Sequence, residues 1–181
     1  LAMDKPQAKK IFRYHDLPVP EGVVVESNTD LKRALAEVEK QFGKNIVLKP
    51  IAAGSALGVH IIRGGRNAEP IVLQELRNGP LLIEPFISGR EITASVLEKS
   101  GKPVALPIIE IKTEDEEWYD FKNRYTPGKS EHVVPAALDE NIADRIKEIA
   151  LKAHKGLGLR DLSRSDFILT NSCDVFLLET N

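Results

Sequence analysis

Near the end of the chain, Arg164, Asp166, Glu179 and Asn181 are spaced so that one hairpin would gather all four side chains on a single face. Residues 163–169 and 175–180 read as strands around the turn Asn171-Ser172-Cys173-Asp174; pairing 170 with 175 then sets Asp166 opposite Glu179 and Arg164 opposite Asn181. Two carboxylates facing each other between the apolar flanks Phe167-Ile168-Leu169 and Phe176-Leu177-Leu178 repel unless something cationic lies between them. Two readings stand. An all-oxygen donor set with no nearby His or Cys suits a hard cation, Mg2+ rather than Zn2+. A solvated strand face with Arg164 as counter-ion accounts for the same residues.

Two further constellations carry chemistry. Lys49-Pro50 precedes Gly54-Ser55-Ala56-Leu57-Gly58, where small residues let a backbone approach an anion and a strand-end lysine supplies charge. The loop lacks P-loop spacing, and an ordinary hairpin tip explains it equally well. Glu84-Pro85-Phe86-Ile87, with Glu91 beyond, places acids at the end of one strand and the start of another. Such a bend could serve a purine edge and a ribose, but by itself it reads first as a plain strand connection. Lys5, at a helix start, reads by itself as a solvated charge.

The elements that must hold these residues follow from hydrophobic period. Helices are expected over 6–14, from 28–30 to Gly43 with a stripe of Leu31, Leu35, Val38 and Phe42, over 69–77, and over 139–156 with Ile142, Ile146, Ile149, Ala150 and Ala153 aligned. Strands are expected at 22–26, 45–50, 59–63, 81–85, 91–97 and 104–111, besides the final hairpin. The stretch 112–134 reads as a long loop, acidic at Glu114 to Glu117 and Asp120 and then basic at Lys122, Arg124 and Lys129, and a loop of that length is expected to be a functional lid or disordered. The chain has 181 residues, 42% hydrophobic and 29% charged, with a net charge of -2, so no global basic field draws it to nucleic acid or membrane surfaces. The single Cys173 closes no internal disulfide, and no apolar run reaches bilayer length. A cytoplasmic setting is expected.

Ten segments then fall into one order: Met3-Asp4-Lys5, Val47-Leu48-Lys49-Pro50, Gly54 to Gly58, Ile83-Glu84-Pro85-Phe86-Ile87, Gly89-Arg90-Glu91, Trp118-Tyr119-Asp120-Phe121, Arg124-Tyr125, Pro135-Ala136, Ser163-Arg164-Ser165-Asp166 and Leu178-Glu179-Thr180-Asn181. In order and spacing they resemble the ATP-grasp part of the D-alanine:D-alanine ligase family, over essentially the whole chain. The resemblance implies an α+β ATP-grasp fold. Its small lobe would cover about 20–85, its larger lobe 1–19 and 86–181 with lid loop 112–134, and nucleotide would lie between two antiparallel sheets. The family's N-terminal substrate domain is absent from the chain as given.

By that resemblance, Lys5 and Lys49 reach ATP phosphates, Ser55 covers them, Glu84, Pro85, Phe86 and Ile87 hold adenine, and Glu91 binds ribose. Asp166, Glu179 and Asn181 match the family's ligands for two Mg2+ ions, with Mn2+ as a substitute, and Arg164 its transition-state arginine. Tyr125 goes with an amine acceptor, and Arg124 is placed at a phosphate oxygen. The implied reaction joins two D-alanines through an acyl phosphate, in peptidoglycan precursor synthesis, with ATP and D-alanine as partners and a homodimer left open. Two departures stand out. The family's second loop serine is Ala56 here, and the lysine before its lid tyrosine is Arg124. A ligase for another amino acid pair, or an isolated non-catalytic ATP-binding module, are the alternative expectations.

Overall fold

The computed structural model describes residues 2–54, 56–64, 66–113 and 130–181. It has two compact units, one built on Gln7–Val19 and Ile87–Asn181 and the other on Met3–Pro6 and Pro20–Phe86. Met3–Pro6 thus groups with residues 20–86, in place of the expected 1–19 block. Helix α1 (Lys5–Tyr14) buries Ala8 and Phe12.

In the unit containing Pro20–Phe86, strands β1 (Val23–Val25), β2 (Ile46–Pro50), β3 (His60–Ile62) and β4 (Leu81–Pro85) form an antiparallel sheet in the order β1-β4-β2-β3. Helices α2 (Leu31–Phe42) and α3 (Glu69–Glu75) cover one face. Asp30 caps α2 by accepting from the Arg33 amide, and the predicted stripe turns its Val38 fully inward, with Leu31, Leu35 and Phe42 packed around it. These side chains meet Ile46, Leu48, Leu81 and Ile83, the inward residues of β2 and β4. Strand alternation therefore sends Val47, Lys49, Leu82 and Glu84 to the other face.

In the other unit, β5 (Arg90–Lys99), β6 (Lys102–Ala105), β7 (Ile109–Thr113), β8 (Ser130–Val133), β9 (Leu162–Leu169) and β10 (Val175–Thr180) form the second sheet, ordered β10-β9-β5-β7-β8 with β6 also on β5. Helix α4 (Glu140–Gly156) packs Ile146, Ile149, Ala150 and Ala153 against Ile92, Ala94, Val96, Phe167 and Leu177. On the same face, His154 Nδ1 pairs with Ser163 Oγ at 2.9 Å, and Ser165 Oγ with Thr180 Oγ1 at 2.9 Å, so the buried hydroxyls are satisfied.

Three expectations are corrected. The strand predicted over 104–111 is two strands: β6 pairs with β5 in one register and β7 in another shifted by one residue, with Pro107, which has no amide hydrogen to donate, in the break. The predicted helix 69–77 stops at Glu75. The expected lid 112–134 is ordered at both ends, since Lys112 and Thr113 finish β7 and Ser130–Val133 is β8 paired with it; its centre lies outside the described residues.

Arg90 locks this sheet at its root. Its Nε and Nη2 each donate to Glu110 at 2.8 Å, and Nη2 also reaches the Ala137 carbonyl oxygen at 2.9 Å, tying β5 and β7 to the segment before α4. The guanidinium's hydrogen bonds hold the Glu110 carboxyl below its ordinary 4.5 despite partial burial. Next to it, Gly89 leaves no room for a side chain, because a Cβ there would sit 2.4 Å from the Leu169 carbonyl oxygen.

Gly89→Ala is therefore expected to cost about 2 kcal/mol, since a backbone atom must move; chemical denaturation measures it. Because Glu110 binds protons less readily when folded, its contribution is complete above about pH 4.5 and is lost as pH falls through its lowered folded value. Glu110→Gln should lower stability by about 1 kcal/mol at pH 7 and flatten the acid limb of the stability curve below pH 4.5. An unchanged acid limb would remove the ion pair from the account.

Candidate functional site

The final hairpin gathers the first set of candidate residues. Asp166 faces Glu179 across β9 and β10 as expected, and Arg164 exchanges both backbone hydrogen bonds with Asn181 at 2.8 and 2.9 Å. The route to that register differs from the prediction. The turn runs over 170–174, with the Thr170 amide donating to the Asp174 carbonyl and Cys173 at a φ of 66°, so Leu169, not Thr170, pairs with Val175. Thr170, Ser172 and Asp174 hold this turn through side-chain hydrogen bonds. A register shift between Leu177 and Glu179, which inserts Leu178 as a bulge, then restores the pairing of Asp166 with Glu179. The Leu177 amide donates to the Pro18 carbonyl at 2.7 Å, tethering the bulged strand from outside.

Arg164 takes the position that the like charges demand. Its Nε and Nη2 donate to Asp166 Oδ1 and Oδ2, each at 2.9 Å, in a two-pronged fork. Thr93 Oγ1 donates to Asp166 Oδ1 at 3.0 Å from the neighbouring strand β5. Thr93 is a site residue the motif reading missed; the alternation Glu91, Thr93, Ser95 against Ile92, Ala94, Val96 is the signal that exposes it. Glu91 lies on that same face, paired in register with Ile168 and Ile111. Helix α4 packs the opposite face, and the polar side chains Glu91, Thr93, Arg164 and Asp166 collect on this one.

The donor chemistry fits a hard divalent cation: Asp166, Glu179 and Asn181 offer only oxygen ligands, and among the described residues no group of three His, Cys, Asp or Glu side chains makes an alternative cage.

The second set of residues lies in the unit of Pro20–Phe86. Lys49 Nζ donates to Glu84 Oε2 at 2.6 Å, with the lysine side chain 10% and the glutamate 1% exposed. The two predicted binding residues are thus an ion pair, and removing either charge would strand the other in the interior. Lys5 Nζ donates to the Ala53 carbonyl at 2.6 Å and the Pro50 carbonyl at 3.3 Å, bracing the root of the small-residue loop. Within that loop Ala56 takes a φ of 55°, and Gly58 at φ 70° packs so that a Cβ would meet Pro50 at 2.8 Å. Pro85 ends β4, the Phe86 amide donates to the Asn45 carbonyl at 2.9 Å, and the Arg63 guanidinium lies 4.5 Å above the Phe86 ring. Ile87 follows in the link to β5. Ser55, Arg124 and Tyr125 lie outside the described residues.

Comparison with known proteins places the chain in a family. The chain is 41% identical over 169 residues to the D-alanine–D-alanine ligase of Methylobacterium radiotolerans, covering 92% of this chain and 52% of that protein. A second ligase of the same name, from Pelotomaculum thermopropionicum, is 37% identical over all of this chain and 58% of its own length. The chain therefore spans about half the length of the curated relatives it matches. The crystal structure of the VanG D-Ala:D-Ser ligase from Enterococcus faecalis superposes with a TM-score of 0.81 at 27% identity, covering 100% of this chain and 52% of that one. The family model described as D-ala D-ala ligase C-terminus matches residues 11–181, and with the ATP-grasp sheets and the carboxylate hairpin in place, the chain belongs to the D-Ala-D-Ala ligase family, of which it carries the C-terminal, ATP-grasp portion.

Proposed function

We propose that the chain is the nucleotide-binding and catalytic portion of an ATP-dependent ligase that joins two D-alanines for peptidoglycan precursors, working in the cytoplasm. The observation that carries this reading is the facing pair Asp166 and Glu179 with Arg164 forked onto Asp166, on the sheet face opposite the one that α4 packs. No helix among the described residues is long and apolar enough to cross a membrane.

In this proposal Asp166, Glu179 and Asn181 hold Mg2+, which when bound neutralises phosphate charge and aligns the transferred group. Arg164 is already oriented by its fork and contributes a guanidinium beside the oxygens that gain charge. Lys5 and Lys49 serve the phosphates, while Glu84 to Ile87 and Glu91 hold the nucleoside. The terminal phosphoryl group of ATP passes to the carboxylate of the first D-alanine, leaving ADP and an acyl phosphate. The amine of the second attacks the carbonyl carbon, phosphate departs with the bonding pair, and the amine loses a proton.

A ligase with a different acceptor is the second reading, favoured by Ala56, which puts a methyl group where the family carries a hydroxyl. ADP release with D-alanine alone and with added D-serine separates the two; release that neither amino acid stimulates overturns both. Glu179→Gln is expected to weaken Mg2+-dependent ATP binding roughly tenfold in calorimetry while leaving Mg2+-free nucleotide binding intact. Unchanged Mg-ATP affinity in the folded variant would remove Glu179 from the metal set.

Lys49→Met tests a role that burial complicates. The single change should cost about 3 kcal/mol because Glu84 loses its 2.6 Å cation, and Lys49→Met with Glu84→Gln should recover most of that. If the recovered double variant also binds ATP at full strength, the pair is structural and does not serve nucleotide.

A further inference from the structure

Three contacts meet where β4 leaves the smaller sheet. The ladder between β2 and β4 runs in register as far as Ile46 opposite Pro85, and the Phe86 amide carries it one residue further by donating to the Asn45 carbonyl oxygen at 2.9 Å. The side chain of the same asparagine serves the strand on the other side of β2. Asn45 Oδ1 accepts from the Gly64 amide, also at 2.9 Å, just past the end of β3, where Gly64 turns the chain at a φ of 66°. That anchored turn carries Arg63, whose guanidinium lies 4.5 Å from the centre of the Phe86 ring. Arg63 is exposed and makes no ion pair among the described residues, so its face rests on the ring while its donors stay in water. Asn45 therefore grips both partners of this contact, one with each of its oxygens.

We infer that Arg63 and Asn45 are positioning residues for nucleotide: they fix Phe86, and with it the end of β4 to which the proposed function assigns the nucleoside. The inference rests on that reading. Neither residue has to touch the ligand. Past Pro85 the register of β4 with β2 ends, and a half-buried ring on a connecting segment has several rotamers open to it. A cation over one face and a backbone bond at its root narrow those choices before any ligand arrives, so that binding forfeits less conformational freedom there. The effect acts at the base end. It is therefore the same for every adenine nucleotide, whatever its number of phosphates, which separates this role from that of a cation in contact with phosphate.

The test is calorimetric titration of the full chain with Mg-ATP, with AMP and with Mg-tripolyphosphate. Arg63→Ala is expected to weaken Mg-ATP and AMP alike, roughly threefold, and to leave tripolyphosphate unchanged. Arg63→Lys keeps a cation over the ring and should recover most of that loss. Asn45→Ala should weaken AMP to a similar extent, and Asn45→Asp, which keeps an acceptor for the Gly64 amide, should restore it. In a Phe86→Leu background Arg63→Ala should have no further effect. Unfolding midpoints, measured beside each titration, identify a purely structural brace: a lowered midpoint with AMP affinity unchanged in the folded variant overturns the inference. A loss confined to Mg-ATP and tripolyphosphate overturns it too, since Arg63 would then contact phosphate directly. A wild-type chain that binds neither ATP nor AMP overturns the nucleotide reading together with this one, whereas wild-type binding that survives intact in both alanine variants overturns this one alone.

Discussion

Two carboxylates held opposite one another on adjacent strands are the constraint from which the larger sheet is organised. At the roughly 5 Å separation of directly opposed side chains, and an effective dielectric near 20, their repulsion is about 3 kcal/mol. That is enough to unzip a strand end that had nothing else to hold it. The protein meets it in two ways. Arg164 places a planar cation on Asp166 from the same strand face, and Thr93 donates from the next strand, so the charge is spread over donors before any ligand arrives. Behind the face, Ile92, Ala94, Phe167 and Leu177 pack against α4, and the rigidity of that core keeps the two carboxylates from drifting apart.

The smaller sheet handles charge by the opposite means. Lys49 and Glu84 are almost fully enclosed and pair at 2.6 Å, where desolvation makes each dependent on its partner. Such a pair is rigid, and on the function proposed above that rigidity would let Lys49 meet a phosphate without first reorganising. Lys5 adds a second fixed cation at the root of the small-residue loop, its ammonium held by two carbonyl oxygens.

Much of this was legible in the residues, and the failures share a cause. Period alone places the stripe of α4 and the cap of α2, because both depend on neighbours three or four residues apart. Counting across a hairpin finds Asp166 opposite Glu179. What escapes is long-range or rests on unusual backbone. The ion pair of Lys49 with Glu84 joins residues 35 apart through the adjacency of β2 and β4, and Arg90 reaches Glu110 only because β5 and β7 are neighbours. The left-handed conformation of Cys173 and the break between β6 and β7 are conformations that side-chain identity does not advertise, since a cysteine there looks like any polar turn residue.

The tip of the last hairpin and the bulge at Leu178 offset one another: the first displaces the register by one residue and the second returns it. Neither would be tolerable alone, because a one-residue slip turns Glu179 toward the packed interior and brings Leu178 out against Asp166. The two irregularities thus form a matched set. Over generations, a lineage that trims or lengthens the tip by one residue keeps its facing carboxylates only by gaining or losing the bulge with it, so insertions and deletions at 170–174 and at 178 should appear together or not at all.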